Sequence, residues 1–265
     1  MLKKLIKYDF KSTMRYMIPL YVIILLFTVL ARLVTHVSGF EGLLGFIPIV
    51  IKLTYELMLA AAIIITYILQ AVRYYSHLVT DEGYLTFTLP TAIRNLTISK
   101  LVTAVSWNLA TMLLVLTSIG IVFYSEENKR AFTAAVEELF QQGAGSGSGS
   151  GLNTTMTILL VCIIFIITSL TIHLFIYTSI ALGQVLMSKN RLAGTFVAGI
   201  VIYISIQLLM VVILLPIMFM LDLNTEDSGN HMILLMAICA LFQIFICVLM
   251  YKAVNHMFSK RLNLE

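Results

Sequence analysis

Three ionisable side chains lie inside long apolar stretches of the sequence. Lys52 and Glu56 are four residues apart in the stretch 47–72, so on a helix they lie on the same side and can form an ion pair. His173 lies in another apolar stretch. Because ionisable groups are costly in lipid and often functional there, these three side chains are candidates for a translocation path. A structural ion pair, and a neutral imidazole bonded to a neighbouring helix, are the alternative interpretations.

No catalytic signature accompanies these residues. The sequence contains no G-x-x-x-x-G-K-S/T phosphate loop, no H-E-x-x-H zinc pair and no G-x-S-x-G elbow. Cys162, Cys239 and Cys247 have neither CxxC nor Cys/His spacing, so we predict no metal site. The sequence therefore predicts no catalytic residue and no cofactor on this chain.

A segment rich in charged and aromatic side chains separates the second and third apolar stretches. Residues 73–97 are longer than a simple chain reversal needs, and they combine acidic groups with aromatic ones. Such a mixture favours docking to another protein, and a segment that only lies on lipid is the alternative. The candidate docking residues are Asp81, Glu82, Gly83, Tyr84, Leu85, Phe87 and Pro90.

The composition places the elements that carry these residues in a membrane. Of the 265 residues 60% are hydrophobic and 11% are charged, and the mean hydropathy is +0.99. A water-soluble domain needs far more polar surface. Unbroken apolar runs of about 20 residues predict spanning helices rather than a β-barrel, and hence an all-α fold. The six predicted spans are residues 16–35, 47–72, 98–124, 153–186, 193–221 and 232–254.

The basic residues predict the orientation of these spans. Most of the 17 Lys and Arg residues flank alternate ends of the spans, which by the positive-inside rule places both termini in the cytoplasm. This distribution also accounts for the net charge of +4 without a nucleic-acid partner. The residues on the predicted cytoplasmic side are Lys3, Lys4, Lys7, Lys11, Arg15, Arg73, Arg94, Lys100, Lys189, Arg191, Lys252, Lys260 and Arg261.

The first 15 residues have an amphipathic pattern. Basic residues recur at helical spacing from Lys3 to Arg15, and Leu2, Ile6, Phe10 and Met14 recur on another face. This pattern is typical of a helix that lies in the membrane interface. A simple anchor for anionic lipid is the alternative interpretation.

Two further segments differ from ordinary spans. Residues 143–151 read GAGSGSGSG, an alternation typical of engineered flexible linkers, and we exclude them from the fold. Residues 129–142, which precede them, carry apolar side chains at helical spacing and predict a short outer helix.

The fifth span contains three small residues, Gly194, Ala198 and Gly199, which predict a close approach to another helix.

The segment 81–90, DEGYLTFTLP, together with Arg94 and the sequence SKL at residues 99–101, resembles the permease subunits of ABC-2 type transporters of Firmicutes. The amphipathic N-terminus and the six spans with both ends inside fit the same family. The resemblance implies a subunit of an exporter that resides in the cell membrane of a Gram-positive bacterium. It also implies a separate ATP-binding subunit, which holds ATP and Mg²⁺, and a second permease copy or homologue.

The resemblance further assigns roles to residues. Asp81, Glu82, Gly83, Tyr84, Leu85, Phe87 and Pro90 would form the coupling element to the ATPase, with Lys7, Phe10 and Lys11 beside it. The expected substrate is amphipathic or lipophilic, such as a peptide toxin or bacteriocin. An ion-coupled carrier and a membrane-resident immunity or assembly factor are the alternative functions.

Overall fold

The computed structural model describes six long α-helices and, in the residues it covers, no strand. The described residues are 2–36, 46–79, 93–123, 130, 133–134, 150–187, 190–220 and 228–260. All six helices are long and apolar enough to cross a membrane, which confirms the predicted all-α membrane fold. The helices are α1 Leu2–His36, α2 Phe46–Val79, α3 Ile93–Val122, α4 Ser150–Leu186, α5 Arg191–Met220 and α6 Ser228–Lys260.

The helices are longer than a membrane requires. They have 30 to 37 residues each, which at a rise of about 1.5 Å per residue exceeds the roughly 30 Å of the hydrocarbon core. A window that measures hydropathy detects only the apolar middle of such a helix. Each predicted span overlaps one of the six helices, and the helices extend beyond the spans chiefly at residues 2–15, 73–79, 93–97 and 255–260.

The N-terminal segment and the first span form one continuous helix. The amphipathic pattern of residues 1–15 predicts a separate interfacial helix before the span 16–35, but α1 runs without interruption from Leu2 to His36. Thr13 and Met17 are buried on one side of this helix, across the predicted boundary. The packed face thus continues from the span into the basic segment, and packing against the other helices keeps the two parts in one helix.

The connection between the second and third spans is also shorter than predicted. The expected loop 73–97 begins as the last two turns of α2, in which Tyr74 and Leu78 are buried four residues apart. It ends in the first turn of α3, where Leu96 and Thr97 are buried. These apolar contacts extend both helices beyond the apolar runs. Similarly, α4 begins at Ser150 and includes the end of the predicted linker 143–151.

The chain divides into two compact units, Met1–Ala135 and Val136–Glu265. In the first unit α1 packs along α3, and α2 contacts both helices. Its core contains apolar side chains from all three helices, and Tyr55 is the largest of them. The core residues are Ile24, Ala31, Tyr55, Leu59, Ala62, Val115 and Val122.

In the second unit α4 lies between α5 and α6 and packs against both. The contact with α5 is closest at Gly183 and Gly194. A Cβ atom added to Gly183 would lie 2.5 Å from the Thr195 Cα atom and 2.7 Å from the Gly194 carbonyl carbon. Ala198 is fully buried further along α5. The predicted close approach of the fifth span is therefore confirmed, and α4 is its partner.

Candidate functional site

The predicted coupling residues Asp81 to Pro90 lie outside the described residues, but the helices on both sides of them are described. We use the name basic end for the end of the first unit formed by residues 2–15 of α1, 73–79 of α2 and 93–100 of α3. The basic residues Lys3, Lys4, Lys7, Lys11 and Arg15 are exposed there, on the side of α1 away from its buried residues.

An acidic residue inside the basic segment joins α1 to α3. The Ser99 hydroxyl donates a hydrogen bond of 2.7 Å to Asp9 Oδ2, and Lys100 Nζ lies 3.2 Å from Asp9 Oδ1. The Lys100 and Asp9 side chains are only 10% and 17% exposed, so this ion pair is largely removed from solvent. We call the three residues the Asp9 clasp. It ties the N-terminal turns of α1 to the second turn of α3, which begins a few residues after the predicted coupling segment 81–90.

Aromatic side chains extend the contact between the same two helices. The rings of Phe10 and Trp107 are stacked with centroids 4.5 Å apart. The Tyr21 ring is tilted by 53° against Trp107, and their centroids are 5.9 Å apart. Of the three α1 residues predicted to lie beside the coupling element, Phe10 contacts α3 through Trp107 although it is 40% exposed, and Lys7 and Lys11 are exposed.

A ladder of hydroxyl groups joins α1, α2 and α3 in the apolar part of the first unit. The Tyr21 hydroxyl lies 2.9 Å from Thr111 Oγ1, which lies 3.2 Å from Thr66 Oγ1. Two turns further along α3, Ser118 Oγ lies 2.6 Å from Thr28 Oγ1 and 2.8 Å from the Tyr55 hydroxyl. Sequence reasoning did not find these residues. The available signal was the spacing of seven between Tyr21 and Thr28 and between Thr111 and Ser118, which places each pair on one helix face.

We expect Ser118→Ala to destabilise the first unit by about 1–2 kcal/mol, because two buried hydroxyl groups lose their shared partner. The matched control is Ser106→Ala on the same helix, where the exposed hydroxyl bonds only to the Val102 carbonyl of its own helix. Thermal unfolding of the detergent-solubilised variants measures the difference. Equal midpoints for both variants would show that the ladder contributes nothing to stability.

Lys52 and Glu56 do not form the predicted ion pair within the described part of the chain. Both side chains are exposed, and Lys52 Nζ lies 5.6 Å from the centre of the Phe123 ring at the end of α3. Arg32 lies near the same end of the unit and donates a 3.2 Å hydrogen bond to the Val122 carbonyl. Both cations are therefore at the end of the unit opposite the basic end.

His173 belongs to the second unit and is fully buried. Its Nδ1 atom lies 2.7 Å from the Ser169 carbonyl of the preceding turn, so this nitrogen carries the proton and donates it. The ring edge faces Tyr177 at a centroid distance of 6.4 Å. This geometry favours the interpretation of His173 as a structural imidazole within α4.

Polar contacts between α4 and α6 lie on either side of Ser169. Gln243 Nε2 donates to Thr168 Oγ1 at 3.1 Å, and Thr171 Oγ1 lies 3.0 Å from Cys247 Sγ. Along the described ranges, no group of three His, Cys, Asp or Glu residues is placed to hold a metal ion. The Gln243 and Thr171 contacts join α4 to α6, whereas the described hydroxyl groups of Thr178, Ser179 and Ser205 bond to carbonyls of their own helices.

The sequence was compared with protein-family models and with curated proteins, and the structure with solved structures. None of these comparisons gives a match. The fold and the candidate site are therefore assigned from the residues and geometry of this chain.

Proposed function

We propose that this chain is the membrane-spanning permease subunit of an ATP-driven exporter of the ABC-2 type. It moves an amphipathic or lipophilic substrate, such as a peptide toxin or bacteriocin, out across the cell membrane of a Gram-positive bacterium. ATP and Mg²⁺ bind to a separate ATPase subunit, and a second permease copy or homologue completes the pathway. The observation that carries this proposal is the Asp9 clasp, which joins two helices at the base of the predicted coupling segment.

The arrangement of the basic end suits a docking site for an ATPase. The segment 81–90 connects α2 to α3, and the Asp9 clasp joins the first turns of α3 to the N-terminal turns of α1. A force on the segment therefore acts on two spanning helices together. The exposed Lys7 and Lys11 offer positive charge on the same end of the unit for an acidic partner surface.

The helix surfaces suit a permease that assembles within lipid. Helix α5 exposes large apolar side chains on several faces, with Phe196 74% and Val212 71% exposed. Such a surface has to be covered by lipid or by another apolar protein surface. A second permease copy offers a surface of that kind.

The proposed mechanism follows from these connections. Nucleotide-driven closure of two ATPase subunits displaces the segment 81–90 of each permease. Because α1 is clasped to α3, the two helices move as one rigid element, and the apolar path between the permeases rearranges. Glu82 and Tyr84 supply the charge and the aromatic anchor of the docking surface.

The test is copurification of the chain with an ATP-binding subunit, followed by ATPase measurement in lipid. We expect a stoichiometric ATPase partner whose hydrolysis is stimulated by the permease. The double variant Glu82→Ala/Tyr84→Ala should lose most of this stimulation, whereas the control Thr54→Ala, an exposed residue bonded only to its own helix, should retain it.

Two outcomes would contradict the proposal. Absence of an ATPase partner under conditions that preserve the membrane complex would favour an ion-coupled carrier, which would transport without ATP. A stable partner without transport or ATPase stimulation would favour an immunity or assembly factor. In either case the segment 81–90 would lose its coupling role.

A further inference from the structure

The first unit contains a cavity of about 210 Å³ at the end opposite the basic end. It lies between the last turns of α1 and α3 and the first turns of α2. Its described lining is almost entirely apolar and includes Ala31, Val34, Ile49 and Phe123. A cavity of about 150 Å³ already holds a benzene molecule, so this space accommodates several carbon atoms of a hydrocarbon chain.

The polar groups of the lining are few. Lys52 and Tyr55 are the polar side chains among the described lining residues. The Tyr55 hydroxyl is already hydrogen-bonded to Ser118 at 2.8 Å. A peptide backbone in this cavity would thus lack partners for most of its N–H and C=O groups, at a cost of a lost hydrogen bond for each. A hydrocarbon chain has no such groups, and the lining therefore favours it.

The cation at the rim favours a negative headgroup. Lys52 Nζ is held 5.6 Å from the Phe123 ring centre, and Arg32 donates to the carbonyl of Val122, another lining residue. Glu56 lies one turn further along α2 and is not among the described residues that line the cavity. Lys52 is therefore the described cation that lines this cavity, and the rest of the described lining is almost entirely apolar.

The depth of these cations in the membrane agrees with a lipid ligand. Lys52 is six residues after the start of α2, and Arg32 is four residues before the end of α1, or about 9 Å and 6 Å along the helix axes. Because α2 is about 51 Å long, a centred hydrocarbon core of roughly 30 Å begins about 10 Å from its end. Lys52 then lies at the edge of the hydrocarbon core, from which its long side chain reaches the lipid headgroups.

We propose that this cavity is a binding site for an anionic phospholipid of the membrane. Part of one acyl chain occupies the apolar space, and the headgroup phosphate lies against Lys52. This site is independent of the proposed export function, because it requires neither an ATPase nor a transported substrate.

A photoactivatable phosphatidylglycerol with its reactive group on the acyl chain tests the proposal in the full chain, purified in detergent. We expect mass spectrometry to place the labels on α1 near Val34 and on α3 near Phe123. The corresponding phosphatidylcholine probe should label these positions about fivefold less, equivalent to about 1 kcal/mol for the charge interaction.

Three variants distinguish binding of the lipid headgroup from binding of the acyl chain. Lys52→Gln should reduce labelling by the anionic probe about fivefold, and Lys52→Arg should retain it. Val34→Phe, at a partly exposed position, fills the cavity and should reduce labelling by both probes. Labels spread evenly over the apolar faces of α1 to α3, or equal labelling by both probes, would overturn the proposal. Displacement of the probe by an amphipathic peptide but not by unlabelled lipid would overturn it in favour of a peptide site.

Discussion

The Gly183→Val variant should lose more stability than a variant that removes a single hydroxyl group or ion pair from the first unit. Gly183 lies where α4 crosses α5, and an added Cβ atom would meet the backbone of Gly194 and Thr195 rather than flexible side chains. Backbone atoms of two packed helices can move only if the helices separate. We therefore expect destabilisation at or above the upper end of the roughly 1–3 kcal/mol typical of overpacked cores.

Gly194, in the first turn of α5, lies opposite Gly183 and leads to the same expectation. A Cβ atom on Gly194 would collide with the Gly183 carbonyl oxygen and approach the Met187 Cβ atom at 3.0 Å. The Gly183 carbonyl also accepts a 3.0 Å hydrogen bond from the Met187 N–H, so it cannot turn away without loss of that bond. Gly194→Val should therefore be about as damaging as Gly183→Val, and the double variant should be no better than either.

Two other glycines serve as matched controls. Gly120 on α3 has no atom within 4 Å of an added Cβ, and Gly199 on α5 has its nearest neighbour, the Ser179 hydroxyl oxygen, at 3.5 Å. Gly120→Val should therefore be close to neutral, and Gly199→Ala should be neutral or slightly stabilising, since both Val and Ala favour helix more than Gly does. Thermal unfolding in detergent compares these controls with the Gly183 and Gly194 variants. A Gly183→Val protein with the midpoint of Gly120→Val would show that α4 and α5 do not cross at these glycines.

The spans were predictable because their apolar runs are longer than the membrane is thick. Leu101 to Ser125 and Leu192 to Leu221 hold no charged side chain, so only a spanning helix satisfies their backbone in lipid. The glycine contact of α5 was predictable in kind, because small residues allow close packing. That α4 is its partner also had a signal in the sequence, because only residues 187–190 separate the two helices and helices joined by a short connection pack side by side.

The helices differ from the predicted spans where tertiary contacts extend a helix beyond its apolar run. The basic residues of the first 15 positions resemble an interfacial helix when they are taken alone. Asp9 changes that assignment, but its partners Ser99 and Lys100 are about 90 residues away in the sequence. Likewise, the Lys52 and Glu56 spacing permits an ion pair, yet Lys52 extends towards Phe123 near the end of the helix. The spacing of residues along one helix therefore shows neither that the N-terminal segment packs on α3 nor that Lys52 turns away from Glu56.

The Asp9→Ala variant should release the N-terminal turns of α1 from α3. The carboxylate accepts a hydrogen bond from Ser99 and pairs with Lys100, in a site that is less than a fifth exposed. Charged hydrogen bonds of this kind contribute about 1.5–3 kcal/mol. Because the site is not fully buried, we expect a loss below the roughly 3–5 kcal/mol of a broken buried ion pair.

Hydrogen exchange resolves where this stability is lost. In Asp9→Ala, the backbone amides of residues 5–13 should exchange faster, whereas those near Ile24 in the core of α1 should keep their protection. Lys7→Gln, which removes an exposed charge from the same turns, should leave both regions unchanged. The exchanged pair Asp9→Lys/Lys100→Asp should restore part of the protection, because it restores the attraction between the two helices.

Asp9→Ala and the charge-swapped pair also distinguish two roles of the Asp9 clasp. It either only stabilises the packing of α1 on α3 or also transmits motion between these helices. If α1 follows α3 through the Asp9 clasp, Asp9→Ala should bind the proposed ATPase partner normally but lose much of the proposed ATPase stimulation, and the charge-swapped pair should regain part of it. Faster exchange in residues 5–13 with full ATPase stimulation would keep the clasp as a packing contact and remove it from the mechanism. Unchanged exchange would remove it from both, since the N-terminal turns would then be held by Phe10 against Trp107 and by the buried face that continues through Thr13.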